Sequence, residues 1–275
     1  MDKISLQRFR REILDHFKKH GRSFLWRLTI DPYEILVSEV MLQQTQVDRV
    51  SRYFPRFIER FPDLASLAAA PLREVLALWR GLGYNRRALF LKRVAEEAVR
   101  HHDGMLPRTV KELITLPGIG PYTARAVLTF AFNEPHAFLE TNIRAAYIHH
   151  FFAGREKVAD REILPLLEKT IDRADPRRWY YALMDYGAHL KKRVPNPTRR
   201  SATHAKQSRF EGSDRQVRGA ILRALGTGAT TRSPLLAAVR QDTGNDVDEE
   251  RLSRILSGLC DEGMIKRSGG WYRIP

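Results

Sequence analysis

The chain has 275 residues, 43% of them hydrophobic and 29% charged, a composition typical of a globular protein rather than a disordered one. Its 47 Lys and Arg outnumber its 32 Asp and Glu. The formal net charge of +15 favours a polyanionic partner, nucleic acid before an anionic membrane surface. The single cysteine, Cys260, excludes a disulfide framework and a cysteine-rich zinc or iron–sulfur site within this chain.

Neither a membrane span nor a signal peptide is predicted from the sequence. A membrane span needs about eighteen consecutive apolar residues, and no apolar run in this sequence approaches that length. The first residues, MDKISLQ, lack the apolar core of a signal peptide and are typical of a capped helix start. We therefore expect a cytoplasmic protein without a membrane partner.

Helical periodicity dominates the chain up to residue 190, and Pro and Gly separate the periodic segments at spacings that suit short turns. Asp31 is the predicted N-cap of the second helix, which Pro32 opens. No strand is predicted before residue 263, so the body is predicted to be all-α. The predicted helices cover residues 2–20, 32–43, 46–61, 71–78, 86–102, 110–115, 122–132, 142–152, 160–172 and 176–190.

The composition changes near Val194. Residues 195–212 are rich in Pro, Asn, Thr and Ser, carry little apolar material and predict an exposed basic linker. Two interpretations remain open, a solvated connector and a strap that contacts phosphates. The basic residues of this linker are Arg199, Arg200, Lys206 and Arg209.

Residues 213–275 predict a small winged-helix-like domain. Helices are expected to start at Ser213, Ser233 and Asp246, and a hairpin is expected from strands at 264–266 and 271–274 around the turn 268–270. The third helix starts with acidic residues, a poor surface for reading DNA, so DNA binding and a structural or protein-contact role stay open. The predicted domains are thus 1–194, the linker 195–212, and 213–275.

A glycine-rich turn, LPGIGPYTA at residues 116–124, lies between two predicted helices. The N-terminus of the second helix presents unpaired backbone N–H groups, which together with the helix dipole favour a phosphate oxygen. Such a contact involves only backbone and does not depend on base sequence. In a chain this basic, the turn predicts a helix–hairpin–helix DNA contact.

Two glutamates are candidates for acid and charge-stabilising roles. Glu39 lies on the same helical face as Ile35, where desolvation would raise the pKa of its carboxyl group, as a general acid requires. Glu140 starts a helix, where the dipole favours the ionised carboxylate. Carboxyl groups whose pKa values are driven apart take different roles. The alternatives are a boundary Glu39 paired with an arginine and a Glu140 that only caps its helix.

Four motifs occur in an order and spacing that resemble the helix–hairpin–helix DNA glycosylase superfamily, specifically its adenine-mismatch branch. The similarity covers residues 8–190. It implies two α-helical lobes beside a cleft, the N-terminal helix joining the second lobe, and a target base that is flipped out of the duplex. The motifs are SEVMLQQTQ (38–46), GLGY (81–84), LPGIGPYTA (116–124) and MDYGA (184–188).

The resemblance assigns roles residue by residue. Glu39 matches the acid that protonates the purine ring, and Glu140 stands where the family has the Asp that stabilises the oxocarbenium sugar. Tyr122 and Asn142 match residues that position the flipped nucleotide and the catalytic carboxylate or water. The residues implied to contact DNA are Gln43, Gln44, Leu82, Tyr84, Gly118, Gly120 and Thr123.

Three departures from the family pattern stand out. The four cysteines that the family places after the 184–188 motif are missing, so no iron–sulfur cluster is expected. Glu140 adds a methylene that moves the anion by about an ångström or more, a displacement that can cost on the order of 100-fold in rate. The winged-helix-like segment replaces the domain that contacts 8-oxoguanine in adenine glycosylases.

The sequence also predicts that no metal or other cofactor is required, although the hairpin allows a monovalent cation. The pairs at 101–102 and 149–150 are histidines without carboxylates or thiols at ligand spacing, so they are interpreted as surface or packing residues. The expected partner is double-stranded DNA with a mispaired or damaged base, bound by a monomer at the nucleoid.

The sequence thus predicts a monofunctional DNA glycosylase of base excision repair, most readily for adenine opposite 8-oxoguanine or guanine. The related lyases carry a Lys at the position of Tyr122, and without that amine no Schiff base is expected. Because Glu140 breaks the adenine pattern, removal of uracil, thymine or another damaged base opposite guanine is the alternative. A non-catalytic lesion- or junction-binding protein is the alternative from another class.

Overall fold

The computed structural model describes residues 3–205, 209–244 and 247–275. The predicted helix start at Asp2, Lys206 of the linker and the predicted helix start at Asp246 lie outside these ranges. The described elements are, in chain order, α1 (Lys3–His20), α2 (Pro32–Leu42), α3 (Val47–Arg60), α4 (Leu64–Ala69), α5 (Leu72–Trp79), α6 (Arg86–His101), α7 (Val110–Leu113), α8 (Pro121–Phe132), α9 (Thr141–Phe151), α10 (Asp160–Thr170), α11 (Pro176–Arg193), α12 (Asp214–Gly226), β1 (Thr230–Thr231), α13 (Arg232–Thr243), α14 (Glu249–Asp261), β2 (Lys266–Ser268) and β3 (Trp271–Arg273).

The chain divides into two compact units. Unit 1 consists of Met1–Leu36, Arg108–Leu113 and Ile119–Lys206, and unit 2 of Val37–Pro107, Ile114–Gly118 and Gln207–Pro275. The segment predicted as a winged-helix-like domain therefore belongs to the same unit as α3–α6. The predicted division at 1–194, 195–212 and 213–275 stays a prediction.

Unit 1 is organised by the contact between α9 and α11. Aromatic side chains fill its centre: Phe9 of α1 lies 5.1 Å from Tyr147 and 6.1 Å from Trp179 between ring centroids. All three rings are buried, as is Ile13 one turn further along α1. The amphipathic stripe of α1 thus packs onto the helix pair, where aromatic rings contribute most of the buried apolar area.

A buried carboxylate lies on α11. Asp185, with a side chain 1% exposed, pairs with the guanidinium groups of Arg22 and Arg27. The backbone N–H of Arg22 donates to the same carboxylate at 2.7 Å. Because a buried charge is tolerated only when it is paired and hydrogen-bonded, this cluster fixes the segment after α1 against α11.

Unit 2 holds the helices α3–α6 and the C-terminal domain. Helix α4, Leu64–Ala69, was not predicted; Asp63 and Ser66 form its capping box. The three C-terminal helices appear as expected, with a sheet in the order β1–β3–β2. The prediction of no strand before residue 263 was wrong, because β1 pairs with β3. With two residues, β1 is too short to show the alternation of apolar and polar residues that is typical of a strand. The hairpin turn places Gly269 and Gly270 at positive φ.

The predicted linker is partly folded. Pro197–Arg200 forms a 3₁₀ helix, and Pro197, Thr198 and Ser201 are buried. Ser201 also forms a parallel bridge with Val158. The expectation of an exposed connector is therefore wrong for Pro197, Thr198 and Ser201, whereas Arg199 is exposed as expected. Arg200, expected in a solvated or phosphate-binding segment, instead donates to the carbonyl oxygen of Phe152 at 2.6 Å.

The described residues are mostly helical, with strands only in the small C-terminal sheet and an isolated bridge, so the predicted fold class is confirmed at this level. Over the same residues, none of the helices has the length and apolar character that crossing a bilayer would require.

Candidate active site

The predicted hairpin forms a tight turn before α8. Gly118 adopts φ +74°, and a Cβ there would lie 2.5 Å from the Phe90 ring, so both the conformation and the space require glycine. Gly120 is the extended N-cap residue of α8, and Pro121 occupies the first turn. Pro at this place has no N–H to leave unpaired. The first turn of α8 is thus a potential backbone site for a phosphate oxygen.

Tyr122 and Thr123 belong to this first turn of α8. The Tyr122 ring meets the buried Phe138 ring edge-to-face, with centroids 5.6 Å apart. Thr123 is buried, with its side chain 3% exposed. The packing of Tyr122 on Phe138 holds the phenol at the start of the helix. The predicted role of Thr123 in DNA contact would need a backbone contact, since the side chain lies in the core.

Glu140 is the N-cap residue of α9. One carboxylate oxygen accepts the backbone N–H of Ile143 at 2.8 Å, and the other accepts the side-chain amide of Asn142 at 3.1 Å. Enclosure by protein raises the pKa of Glu140, while hydrogen bonds from α9 and the cations Lys191 and Arg144 offset part of the shift. The sequence predicted that the helix dipole would favour the ionised form. Burial outweighs that effect.

Asn142 is held by a close helix contact. A Cβ on Gly187 of α11 would lie 1.9 Å from the backbone oxygen of Asn142, so only glycine permits this approach. This contact explains the glycine of the 184–188 motif. The side-chain Oδ1 of Asn142 is buried and has no hydrogen-bond partner among the described residues. An unpaired buried acceptor is costly, and it offers a place for a water or a substrate donor.

Two cations accompany Glu140. Lys191 lies one helical turn beyond Gly187 on α11 and is half-buried; desolvation lowers the pKa of its ammonium group, and the attraction of Glu140 opposes that shift. Arg144 binds Asp160 through two hydrogen bonds of 2.7 and 2.6 Å. The guanidinium also interacts electrostatically with Glu140 and Tyr122. Unit 1 therefore brings together Tyr122, Glu140 and Asn142 with two cations that sequence reasoning missed.

Glu39 belongs to unit 2. Residues 35–41 of α2 are all buried, and the Glu39 side chain is 6% exposed. A helix buried on every side is normally apolar throughout, so a carboxyl group in its middle is unusual. The sequence predicted that one face of this helix would be buried. In the structure, every residue from 35 to 41 is buried.

Gln44 and Tyr84 share a backbone feature. Both adopt positive φ, +53° and +48°, although neither is glycine. Non-glycine residues in this region are strained, and such strain concentrates at functional positions. Gln43 is half-buried beside the exposed Gln44, whereas Leu82 is buried at 3%. Leu82 is thus a packing residue in this structure, and its predicted DNA contact stays a prediction.

Arg87 joins the loops of Gln44 and Tyr84. One guanidinium nitrogen donates to the carbonyl oxygens of Val40 and Met41 at 2.7 and 3.0 Å. The other donates to the Thr45 hydroxyl at 3.1 Å and to the Gly83 carbonyl at 3.0 Å. Burial lowers the pKa of Arg87 to about 10, so it remains charged at neutral pH. This residue was also missed by the sequence analysis, because a polar position on one helix does not reveal which carbonyls it meets.

The residues present do not fit an iron–sulfur cluster. Over the part of the chain that the structure describes, no three histidine, cysteine or acidic side chains are grouped to hold a metal ion. The segment after α11 contains no cysteine, and Arg200 and the bridge at Ser201 fix it instead. An iron–sulfur cluster therefore has no ligands at this place. His149 and His150 contact each other, and His150 also contacts the Phe9 ring.

Comparison with protein families identifies one matching model, described as HhH-GPD superfamily base excision DNA repair protein, over residues 37–171. The adenine DNA glycosylase of Mycolicibacterium smegmatis is 33% identical over 277 residues, covering 94% of this chain and 92% of the relative. That of Buchnera aphidicola subsp. Baizongia pistaciae is 38% identical over 185 residues, covering 66% of this chain. The present chain spans 52% of the length of the Buchnera relative.

Two solved structures share the fold. A thermostable thymine-DNA glycosylase superimposes with a TM-score of 0.61 at 27% identity, covering 67% of this chain and 86% of that structure. A non-covalent endonuclease III–DNA complex gives a TM-score of 0.56 at 23% identity, covering 65% and 84%. The similarity to the endonuclease III complex is evidence for the fold alone.

Proposed function

This chain belongs to the HhH-GPD superfamily of base excision DNA repair proteins, among the adenine DNA glycosylases, and from this premise we propose that it hydrolyses the N-glycosidic bond of a mispaired adenine. The observation that supports the proposal most is the start of α9. There, Glu140 and Asn142 form a hydrogen-bonded carboxylate–amide pair with an unpaired buried acceptor. A pair of this kind can stabilise a developing cation and orient a water.

Glu39 acts as the general acid on this proposal. Cleavage of the bond between C1′ and the base leaves its electron pair on the base, so protonation of a ring nitrogen lets adenine leave as a neutral molecule. The burial of Glu39 supports this role, because a glutamate is seldom buried in the middle of a helix and this one is 6% exposed.

Glu140 stabilises the sugar cation, and Asn142 orients the water that adds to C1′. In a site shielded from water, a fixed carboxylate contributes more to a developing cation than it does in solution. The carboxylate must be ionised for this purpose. Lys191 and Arg144 favour the ionised form and support the assignment.

The proposed enzyme is monofunctional. Tyr122 supplies a phenol at the position where the resemblance places the lysine of bifunctional relatives, so this position cannot form a Schiff base. Trapping with borohydride on an abasic duplex is therefore expected to give no covalent adduct at this position.

The proposed partner is double-stranded DNA carrying a mispaired base, bound by a monomer at the nucleoid of the cytoplasm. The net charge of +15 and the position of the glycine turn at the α8 N-terminus, where the helix dipole favours an anion, support phosphate binding. The backbone carbonyls of the hairpin are ligands of the kind that a monovalent cation takes. No step of the reaction requires that cation.

A panel of duplexes tests the function. Adenine opposite 8-oxoguanine and adenine opposite guanine are compared with uracil and thymine opposite guanine, and strand breaks are scored after alkali. Release of adenine is expected. Preferential release of uracil or thymine would favour the alternative, for which the similarity to a thymine-DNA glycosylase is the supporting observation. If all duplexes stay intact, the protein is a binder rather than an enzyme.

A further inference from the structure

Unit 2 contains a cavity of about 560 Å³ on the side of α5 and α6 that faces α12. We call it the arginine pocket, because eight arginines and no aspartate or glutamate line it. A volume of this size accommodates one or two nucleotides. Gln44, Tyr84 and Gly118, which the family resemblance implies to contact DNA, line part of the pocket, whereas its arginines and Phe210 have no role in the proposed function.

The positive charge of the arginine pocket is only partly neutralised. Arg86 and Arg218 share one carboxylate, that of Glu262. Arg73 and Arg80, both on or beside α5, are exposed, and their guanidinium groups have no hydrogen bond or ion pair among the described residues. Because like charges that converge on one cavity repel each other, an anionic ligand would stabilise the arrangement.

An exposed aromatic ring adds a second kind of contact. Phe210 lines the pocket and is 55% exposed. Tyr84 also lines the pocket, but Arg215 donates to its hydroxyl at 2.6 Å and lies over its ring. Phe90 also lines the pocket but is only half-exposed and lies against Gly118, so Phe210 is the most exposed ring available for stacking. A basic groove with an exposed aromatic ring is the combination that binds single-stranded nucleic acid.

We propose that the arginine pocket binds an unpaired nucleotide of DNA with its flanking phosphates, the phosphates on Arg73 and Arg80 and the base on Phe210. That this strand belongs to the substrate duplex rests on the proposed function. The strained residues Gln44 and Tyr84 line the same pocket, so the bound nucleotide lies beside the loops that the family resemblance assigns to probing DNA. The segment that precedes α12 thereby takes part in substrate binding through Phe210.

Binding of a fluorescent four-nucleotide oligothymidylate to the full chain tests the proposal. Each phosphate contact contributes about 0.7 to the slope of log affinity against log salt for a single strand, so Arg73→Ala/Arg80→Ala is expected to lower the slope by about 1.4. Phe210→Ala is expected to weaken binding by about tenfold without changing the slope. Arg52→Ala, an exposed arginine of α3 outside the pocket, serves as the control.

Each outcome decides the proposal. An unchanged slope and affinity in the pocket variants, with folding verified by thermal unfolding, overturns it. Thymidine monophosphate is expected to compete weakly, and equal competition would assign the pocket to free nucleotides and also overturn the proposal. Base release by the unmodified protein is measured separately. Oligonucleotide binding that depends on the pocket, without base release, would reject the proposed function while retaining the nucleotide site.

Discussion

The side-chain amide of Asn142 donates a hydrogen bond to the Glu140 carboxylate at 3.1 Å, while the backbone N–H of Ile143 occupies the other oxygen at 2.8 Å. Aspartate is a common N-cap residue and glutamate is not, because its longer side chain must fold back to reach the helix start. Here it does fold back. The position of the carboxylate is therefore fixed by α9.

Glu140→Gln separates the capping role from the electrostatic one. The amide oxygen can still accept the N–H of Ile143, but the negative charge is lost. We expect base release to fall by about 100-fold or more under single-turnover conditions, with little change in the melting temperature. Glu140→Ala removes the cap as well and should cost about 1 kcal/mol of unfolding free energy. Turnover of Glu140→Gln at the unmodified rate would leave Glu140 as a capping residue only.

The pH dependence of base release should report on Glu140. Burial raises the pKa of Glu140, and the reaction needs the ionised carboxylate. When the pH is lowered, the rate of base release should therefore begin to fall at a pH above the pKa of an ordinary glutamate. Lys191→Met removes a cation that lowers this pKa, so the acidic limb of the pH–rate profile should move upward. Lys192→Met, at an exposed neighbouring position, is the control. An acidic limb that does not move would separate Lys191 from Glu140.

The same shift has a consequence for stability. The folded protein holds the Glu140 proton more tightly than the unfolded chain does. The stabilising contribution is therefore fully present below the ordinary glutamate pKa and is lost as the pH rises through the higher folded value. Unfolding free energies of the unmodified protein and Glu140→Gln, measured across that interval, should diverge as the pH rises, because only the former loses this contribution. Parallel curves would contradict the raised pKa.

Arg87→Lys tests how the strained loops are held. A lysine keeps the charge but cannot donate along the two directions that the guanidinium uses toward Val40 and Gly83. We expect the unfolding free energy to fall by about 1–3 kcal/mol, because buried carbonyl oxygens lose their donor. Duplex binding should weaken as well, because Gln44 and Tyr84 lose their support. Arg93→Lys, at a half-buried arginine on the same helix, provides a comparison. Equal stability of the two variants would contradict this role for Arg87.

Local patterns predicted most helices and the turn before α8, because these depend on periodicity and on glycine and proline signals. They missed α4 and β1, which are too short to show a period. They also missed the burial of Pro197, Thr198 and Ser201, because the last of these forms a bridge with Val158, which is distant in sequence. The same distinction between local and long-range signals applies to the residues of the candidate site. Glu140 was found from its place at a helix start, whereas Lys191 and Arg87 act through partners that are distant in sequence.

The buried carboxylate of Asp185 should be important for stability. Asp185→Asn leaves the guanidinium groups of Arg22 and Arg27 without their counter-charge, and loss of one partner of a buried pair costs about 3–5 kcal/mol. The exposed pair of Arg209 and Glu211 is a matched contrast. Glu211→Ala should change the unfolding free energy by less than about 1 kcal/mol. Chemical denaturation of both variants measures the difference, and a cost below that of the surface pair would contradict the prediction.

Glu39→Gln is expected to abolish base release while duplex affinity stays nearly unchanged. Glutamine has almost the shape of glutamic acid but has no proton to give to the leaving base, so only the chemical step is affected. Single-turnover rates and duplex binding, measured on the same adenine mismatch, separate the two effects. Ser38→Ala, a change at the adjacent buried position of α2, controls for disturbance of the helix. Unchanged turnover of Glu39→Gln would remove Glu39 from the acid role, and lost affinity would make it a binding residue.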